Sequence, residues 1–180
     1  MLTAERKKIE GPLLLRPKKF FDDRGFFSET YHEERWKSAG VDPTFVQDNH
    51  SYSKYKGTVR GLHLQHPPYE QAKLVRVLKG KIYDVIVDVR KDSETFGQWE
   101  AFTIDTECQL FVPAGFLHGF MTLEDDTEVL YKVSKPYSKT HEGGIRWDDP
   151  TLNIAWPSFS PHLSDKDQVL PSWSETWPSF

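Results

Sequence analysis

The side chains of this 180-residue chain that could do chemistry are its histidines, one buried-type lysine, one tyrosine and two arginines beside glycine. Histidine is the side chain whose unperturbed pKa lies nearest neutrality, so it is the natural general base at pH 7. His63 stands in Arg60-Gly61-Leu62-His63-Leu64-Gln65, and His118 in Pro113-Ala114-Gly115-Phe116-Leu117-His118. Lys73 opens an apolar run; a lysine ammonium has no lone pair for a metal but can meet a developing oxyanion. Tyr131 lies in the alternating run Val129-Leu130-Tyr131-Lys132-Val133, on the face of the two valines. That face is expected to point inward, which would carry the hydroxyl into the interior. Arg24 and Arg60 could meet an anion. Taken singly, each has an ordinary alternative: a structural histidine, a snorkelling lysine, a core aromatic, a surface charge. His32, His66, His141 and His162 are read as structural.

The elements that must position these residues are mostly strands. From Leu74 to Val133 the pattern is largely period two, and Tyr83, Val85, Val87 and Val89 share one face. Leu13-Leu14-Leu15, Ala101 to Ile104, Gln109 to Val112 and Glu128 to Val133 are further strands, punctuated by Gly, Pro and Asp. Tyr31 to Ala39 is the expected helix, with Thr30 as its N-cap, Glu33 and Glu34 in its first turn and Gly40 as its stop. The tail from Trp156 reads as ordered loop with one helical turn, which Ser164-Asp165-Lys166-Asp167 could cap. Many short strands with turns predict an all-β sandwich or small barrel, whose mouth is the default ligand site.

Composition narrows the function classes. A net charge of −4 gives no general pull toward nucleic acid or anionic membrane, though it leaves room for a local basic pocket. The single cysteine, Cys108, leaves no intrachain disulfide and no Cys-based zinc site. No apolar run approaches the roughly 20 residues that span a bilayer. A single domain over residues 1–180 and a cytoplasmic location are the expectations.

Two stretches resemble the paired motifs of cupin barrels. In the first, five residues separate Gly57 from His63, and six separate Lys73 from Gly80. In the second, Pro113, Gly115 and His118 match the centre, while Glu107 and Thr122 replace the outer Gly and Asn. A metal cupin holds its ion with three His and one Glu. Here Gln65 replaces the second His and Lys73 the Glu. Lys73 puts a fixed positive charge where a metal cation would sit, so no metal is expected; His50, His66 and Glu70 are the residues that could regroup into a site.

The resemblance extends further. Phe21-Asp22-Asp23-Arg24-Gly25-Phe26-Phe27, Phe45-Val46-Gln47-Asp48-Asn49-His50-Ser51, Lys73-Leu74-Val75-Arg76, Asp84-Val85, Leu130-Tyr131-Lys132 and Trp147-Asp148-Asp149-Pro150 follow one family in order, along with the His63 and His118 segments. Over about residues 10–171 the chain resembles the dTDP-4-dehydrorhamnose 3,5-epimerase family. The residues from 172 on, including Trp173 and Trp177, lie beyond that similarity and have no reading.

The resemblance implies a jelly-roll cupin with a few short peripheral helices, working as a homodimer with no metal and no organic cofactor. It implies conversion of dTDP-4-dehydro-6-deoxy-glucose to dTDP-4-dehydro-L-rhamnose. The sugar's C4 ketone acidifies the protons on C3 and C5, and removing either gives an enolate. His63 is then the base, and the resemblance assigns Asp167 as the carboxylate that holds its imidazole. Lys73 is the leading partner for the enolate oxygen, with Arg60 and His118 assisting. Tyr131 takes the role of the acid that reprotonates the opposite face. Arg24 matches the family's diphosphate contact, with Glu29, Gln47, Asn49, Glu142 and Lys166 at other binding positions and Tyr137 near the sugar. The same residues would serve a relative that inverts C3 alone, or one acting on a sugar carried by another nucleotide. A non-catalytic cupin that binds sugar or nucleotide, and a metal cupin oxygenase, are the readings of a different class; Gln65 and Lys73 oppose the second.

Overall fold

The computed structural model describes residues 2–173; Trp177 lies outside the described residues. The chain begins with β1 (Thr3–Arg6), β2 (Leu13–Arg16), β3 (Lys19–Asp22), β4 (Gly25–Ser28) and α1 (Glu33–Ser38). It continues through β5 (Gln47–Ser53), β6 (Val59–Gln65), β7 (Lys73–Lys79), β8 (Ile82–Asp88) and β9 (Trp99–Ile104). It closes with β10 (Gln109–Val112), β11 (Phe116–Thr122), β12 (Thr127–Val133), a 3-10 turn (Lys139–His141), β13 (Glu142–Gly144) and α2 (Asp165–Gln168). Two antiparallel sheets face each other, in the orders β1-β2-β10-β7-β12-β5 and β13-β6-β11-β8-β9, and β3–β4 stands apart as a hairpin. This is the cupin-like jelly-roll sandwich that the resemblance implies.

Side-chain alternation explains the layers. Val75, Val77, Val129, Leu110, Ile82, Ile86, Phe116 and Phe120 come from both sheets and close on one another as the central core. Each such burial stabilises by roughly 1.5–3 kcal/mol before entropy is subtracted. The opposite faces are covered too. Leu13, Leu15, Leu74 and Phe111 turn outward onto Trp36 of α1. Leu62, Val85, Val87 and Leu117 turn outward onto Ile145 and Leu152 of the C-terminal region. That double coverage is why β8 is apolar on both faces. Tyr83, Val85, Val87 and Val89 do share a face, the covered outer one. Asp84 lies on the other, between Ile82 and Ile86 along the strand, where it is buried and points into the sandwich.

The helix differs from expectation. It spans Glu33–Ser38, its N-cap is His32, and no side chain caps it. Thr30 is drawn away, because its carbonyl accepts a 2.8 Å hydrogen bond from Gln109 Nε2. Packing takes the place of the cap: Trp36 is 1% exposed and its indole N–H reaches Gln109 Oε1 at 3.3 Å. Glu33 and Glu34 do sit in the first turn, and Gly40 follows the C-cap with φ of 102°. The expected turn in the tail is present as α2, with Ser164 Oγ accepting from the Asp167 N–H at 3.2 Å. No helix of the described residues is long and apolar enough to cross a membrane.

Candidate active site

The ladders bring the chemistry-bearing residues to one end of the sandwich. His118 on β11 pairs directly with His63 on β6. Asp84 on β8 lies two residues from the partner of His118, on the same inner face. On the facing sheet Lys73 of β7 pairs with Val133, two residues along from Tyr131 of β12. Tyr131 in turn pairs with Asn49 of β5. Gly61 permits the close approach of β6 to β11: its φ is 122°, and a Cβ there would lie 2.6 Å from Gly119 Cα. Two adjoining pockets of about 160 and 300 Å³ open between the sheets, and His63, Lys73, Tyr131 and Glu142 line both.

His63 and Asp167 are 104 residues apart in sequence and 2.6 Å apart in space, between Nε2 and Oδ1. Asp167 is 5% exposed. Burial alone would raise its carboxyl, but the hydrogen bond and charge of His63 outweigh it, so it is held below the usual carboxylate range. An ionised carboxylate only accepts, so the imidazole proton sits on Nε2 and Nδ1 keeps its lone pair. That is the tautomer of a base. α2 therefore does two jobs: Ser164 caps it, and Asp167 is freed to reach His63.

The second histidine is held differently. His118 Nε2 donates to both carboxylate oxygens of Asp84, at 2.9 and 3.0 Å. Burial, helped by the Lys73 ammonium, pulls His118 below the ordinary histidine range despite Asp84, so its ring is neutral near pH 7. Burial also pulls the Lys73 ammonium down to about 8, while the charges of Asp84 and Glu142 pull the other way. The Lys73 ammonium makes no hydrogen bond among the described residues, so it enters the site with its donors uncommitted. Asp84 is the residue the sequence reading missed. It was visible as part of a family segment, and a carboxylate inside the apolar run of β8 was the signal.

Tyr131 packs against the central core, and burial raises its hydroxyl above the ordinary tyrosine value, so it remains protonated. Arg60 lines the larger pocket, with its guanidinium held by Ser53 Oγ at 3.2 Å and the Tyr52 carbonyl at 2.9 Å. Glu142 is paired with Lys166 and accepts from Tyr137 at 2.9 Å. Those bonds outweigh burial and keep its carboxyl low. Gln47 donates to Asn49 at 2.8 Å and accepts from the Tyr137 backbone at 3.1 Å. Gln65, at the frame position of a metal histidine, is instead a brace. It donates to the Tyr69 and Pro136 carbonyls and accepts from the Ser138 N–H. His50 faces away and meets Glu128 at 3.0 Å. Among the described residues no three His, Cys, Asp or Glu are grouped to hold a metal ion.

Two of the expected site residues are not brought to this pocket. The Arg24 side chain is 90% exposed on the β3–β4 hairpin and pairs with Asp22. Glu29 pairs with Arg35 and lines a separate groove of about 530 Å³ beside Phe20 and Trp36.

Residues 6–175 match the family model described as dTDP-4-dehydrorhamnose 3,5-epimerase. A protein of that name from Sinorhizobium fredii strain NGR234 is 49% identical over 170 residues, covering 93% of this chain and 87% of the relative. The crystal structure of dTDP-4-dehydrorhamnose 3,5-epimerase from Bacillus anthracis, with TDP and PPi bound, superposes with a TM-score of 0.93 at 49% identity, covering 96% of this chain and 99% of that one. The dTDP-6-deoxy-D-glucose-3,5-epimerase of Legionella pneumophila, in complex with dTDP-4-keto-L-rhamnose, gives 0.94 at 36% identity, covering 100% and 99%. With a family match from end to end of the site-bearing fold, the chain belongs to the dTDP-4-dehydrorhamnose 3,5-epimerase family.

Proposed function

We propose that the chain epimerises dTDP-4-dehydro-6-deoxy-glucose at C3 and C5 to give dTDP-4-dehydro-L-rhamnose, using its own side chains for every proton transfer. The observation that carries this reading is the His63–Asp167 pair facing Tyr131 across the cleft, with Lys73 beside it. His63 rises from one sheet and Tyr131 from the other. A flat enolate held between them meets a base on one face and an acid on the other, which is what inversion requires.

The steps follow from the geometry. His63 Nδ1 takes the α-proton, and Asp167 stabilises the imidazolium that forms. The electron pair moves onto the C4 oxygen, where the Lys73 ammonium offsets the charge, with the Arg60 guanidinium on the same pocket wall. Tyr131 gives its proton to the carbon from the far side, and the C4 ketone re-forms. Its raised pKa keeps it in the donating form. Proton transfer to and from carbon is the whole reaction, so it needs no redox group.

Arg24 is exposed on the hairpin and absent from the lining of this chain's pocket, a placement that suits a diphosphate contact presented to a second copy. Phe21 and Phe27 on the same hairpin are 74% and 70% exposed, an apolar surface of the kind that marks an interface. We propose a homodimer in which each hairpin completes the nucleotide end of the partner's pocket. The test of the reaction is incubation with dTDP-4-dehydro-6-deoxy-glucose in D2O. Deuterium at both C3 and C5, with an L-configured product, is expected. Deuterium at C3 alone would restrict the chain to one centre, and no exchange would overturn the assignment.

A further inference from the structure

The catalytic carboxylate does not belong to the sandwich. Asp167 is delivered by the C-terminal segment 156–173, and α2, which carries it, is a single turn too short to hold itself. The segment is pinned on both sides of that turn. Before it, the Val59 N–H donates to the His162 carbonyl and the His162 N–H to the Gly57 carbonyl, each at 2.9 Å. Gly57 has a φ of 81°, and a Cβ there would lie 2.5 Å from the Ser160 carbonyl oxygen. After it, the Arg146 N–H donates to the Pro171 carbonyl at 2.9 Å, and the Trp173 N–H donates to Asp149 Oδ2 at 2.8 Å.

Asp149 differs from the other anchors because it is a charged side chain, 1% exposed. Its Oδ1 accepts from the Thr151 and Leu152 N–H groups, both at 2.9 Å. One oxygen thus shapes the turn after Trp147, and the other reaches across to the end of the strap. The Trp173 ring seats this contact, lying 5.6 Å from Phe96 and 3.4 Å from the Cβ position of Gly97.

We infer that Asp149 is a positioning residue of the reaction: by clamping the strap at Trp173 it sets where α2 ends and so holds Asp167 at hydrogen-bond distance from His63. The inference rests on the epimerase reading for its kinetic consequence, but not for its structural one. A displacement near 1 Å in a catalytic array can cost up to about 100-fold in rate. Asp149 acts at one remove, so a smaller effect is expected.

The test is Asp149→Asn. Asn keeps an Oδ1 acceptor for the turn and sets an NH2 donor against the Trp173 N–H, so the turn survives and the clamp is lost. The expected result is a fall in kcat of about tenfold with KM nearly unchanged. The acid limb of the pH–rate profile moves to lower pH, as the imidazolium loses part of its carboxylate support. In the Asp167→Asn background the same change should add almost nothing, because both act through one contact. A fall that multiplies independently of Asp167→Asn, or a variant with wild-type kcat and profile, overturns the inference. Trp173→Ala keeps the N–H and removes the ring, so it separates the clamp from packing. The imidazole N–H resonance of His63, followed by NMR without substrate, reads the pair directly. Its shift in Asp149→Asn is expected, and an unchanged resonance sinks the inference even if the wild-type chain proved to act on a different sugar.

Discussion

His63 and His118 stand directly opposite each other across the β6–β11 ladder, yet each is held by its own carboxylate from a different part of the chain. His63 is given Asp167 from the C-terminal strap, and His118 is given Asp84 from the adjacent strand β8. Both rings line the larger pocket and bond their carboxylate through Nε2, but the His63 side chain is 25% exposed to the cleft and that of His118 only 8%. Two imidazoles in register therefore take different roles because of what lies behind them.

Removing the carboxylate behind the base should hurt as much as removing an orienting Asp in a hydrolytic triad. Asp167→Asn is expected to lower kcat by roughly 10⁴-fold, because the amide can hold the imidazole in the wrong tautomer. Asp167 stabilises the imidazolium that forms when the proton is taken, so its loss moves the acid limb of kcat/KM to lower pH. An unmoved limb, measured from pH 5 to 8, would show that the 2.6 Å contact does not set the basicity of His63.

Lys73 makes a prediction about the other limb. Its ammonium is pulled down to about 8 by burial, so the charge that receives the enolate is lost as pH rises through that value. Activity should fall above about pH 8, and Lys73→Met should abolish most of it at every pH. The stability effect has the opposite sense. The folded state binds the Lys73 proton more weakly than the unfolded chain, so this group's contribution to stability rises between about pH 8 and the ordinary lysine range. Below that window the folded chain carries a disfavoured charge. Lys73→Met should therefore raise the melting temperature at pH 7, by roughly 2–4 °C per kcal/mol gained. A variant that is both inactive and less stable would mean Lys73 is structural.

Tyr131→Phe separates the two halves of the reaction. His63 remains to remove the α-proton, and the exchanged imidazolium can return a deuteron to the same face. Solvent deuterium should still enter the sugar, while inverted product falls by roughly 10²–10⁴-fold, the usual worth of a positioned acid. Loss of exchange and inversion together would assign the first proton transfer to Tyr131.

The sandwich was legible because period-two strands carry their burial pattern in plain view, and Val129, Tyr131 and Val133 do turn inward as alternation requires. The helix boundary was not. Thr30 has the chemistry of an N-cap, but its carbonyl is taken by Gln109, and Trp36 burial sets where α1 begins. His63, Lys73 and His118 were legible as a set only through the cupin frame, and Tyr131 joined them only through the family resemblance. Asp84 escaped because a single Asp in a β-run carries no periodic signal of its own. The pairing of Asp167 with His63 spans 104 residues, and no local pattern reports it. Gln65 was legible only as the residue that replaces a metal histidine, and the structure shows what it does instead, a three-bond brace. Arg24 and Glu29 lie outside the pocket that their family positions suggest.

The position of Arg24 yields the sharpest test of the assembly. If the hairpin of one copy completes the pocket of another, Arg24 and His63 of a working site come from different chains. Arg24→Ala and His63→Ala should each be poor enzymes as pure proteins, the first mainly through a raised KM. Mixed in equal amounts and allowed to exchange subunits, half of the dimers are hybrids, and each hybrid holds one site with both residues intact. Activity should then rise to about a quarter of the wild-type value at low substrate. If both residues serve the same chain's pocket, every hybrid site carries a defect and mixing gives no more than the average of the two variants. The exposed phenylalanines supply an independent reading: Phe21→Ser with Phe27→Ser removes apolar surface that is already in water, so the monomer's fold should survive. Its dimer should weaken, and its KM should rise with dilution. A double variant that stays dimeric at every concentration would move the interface elsewhere on the molecule.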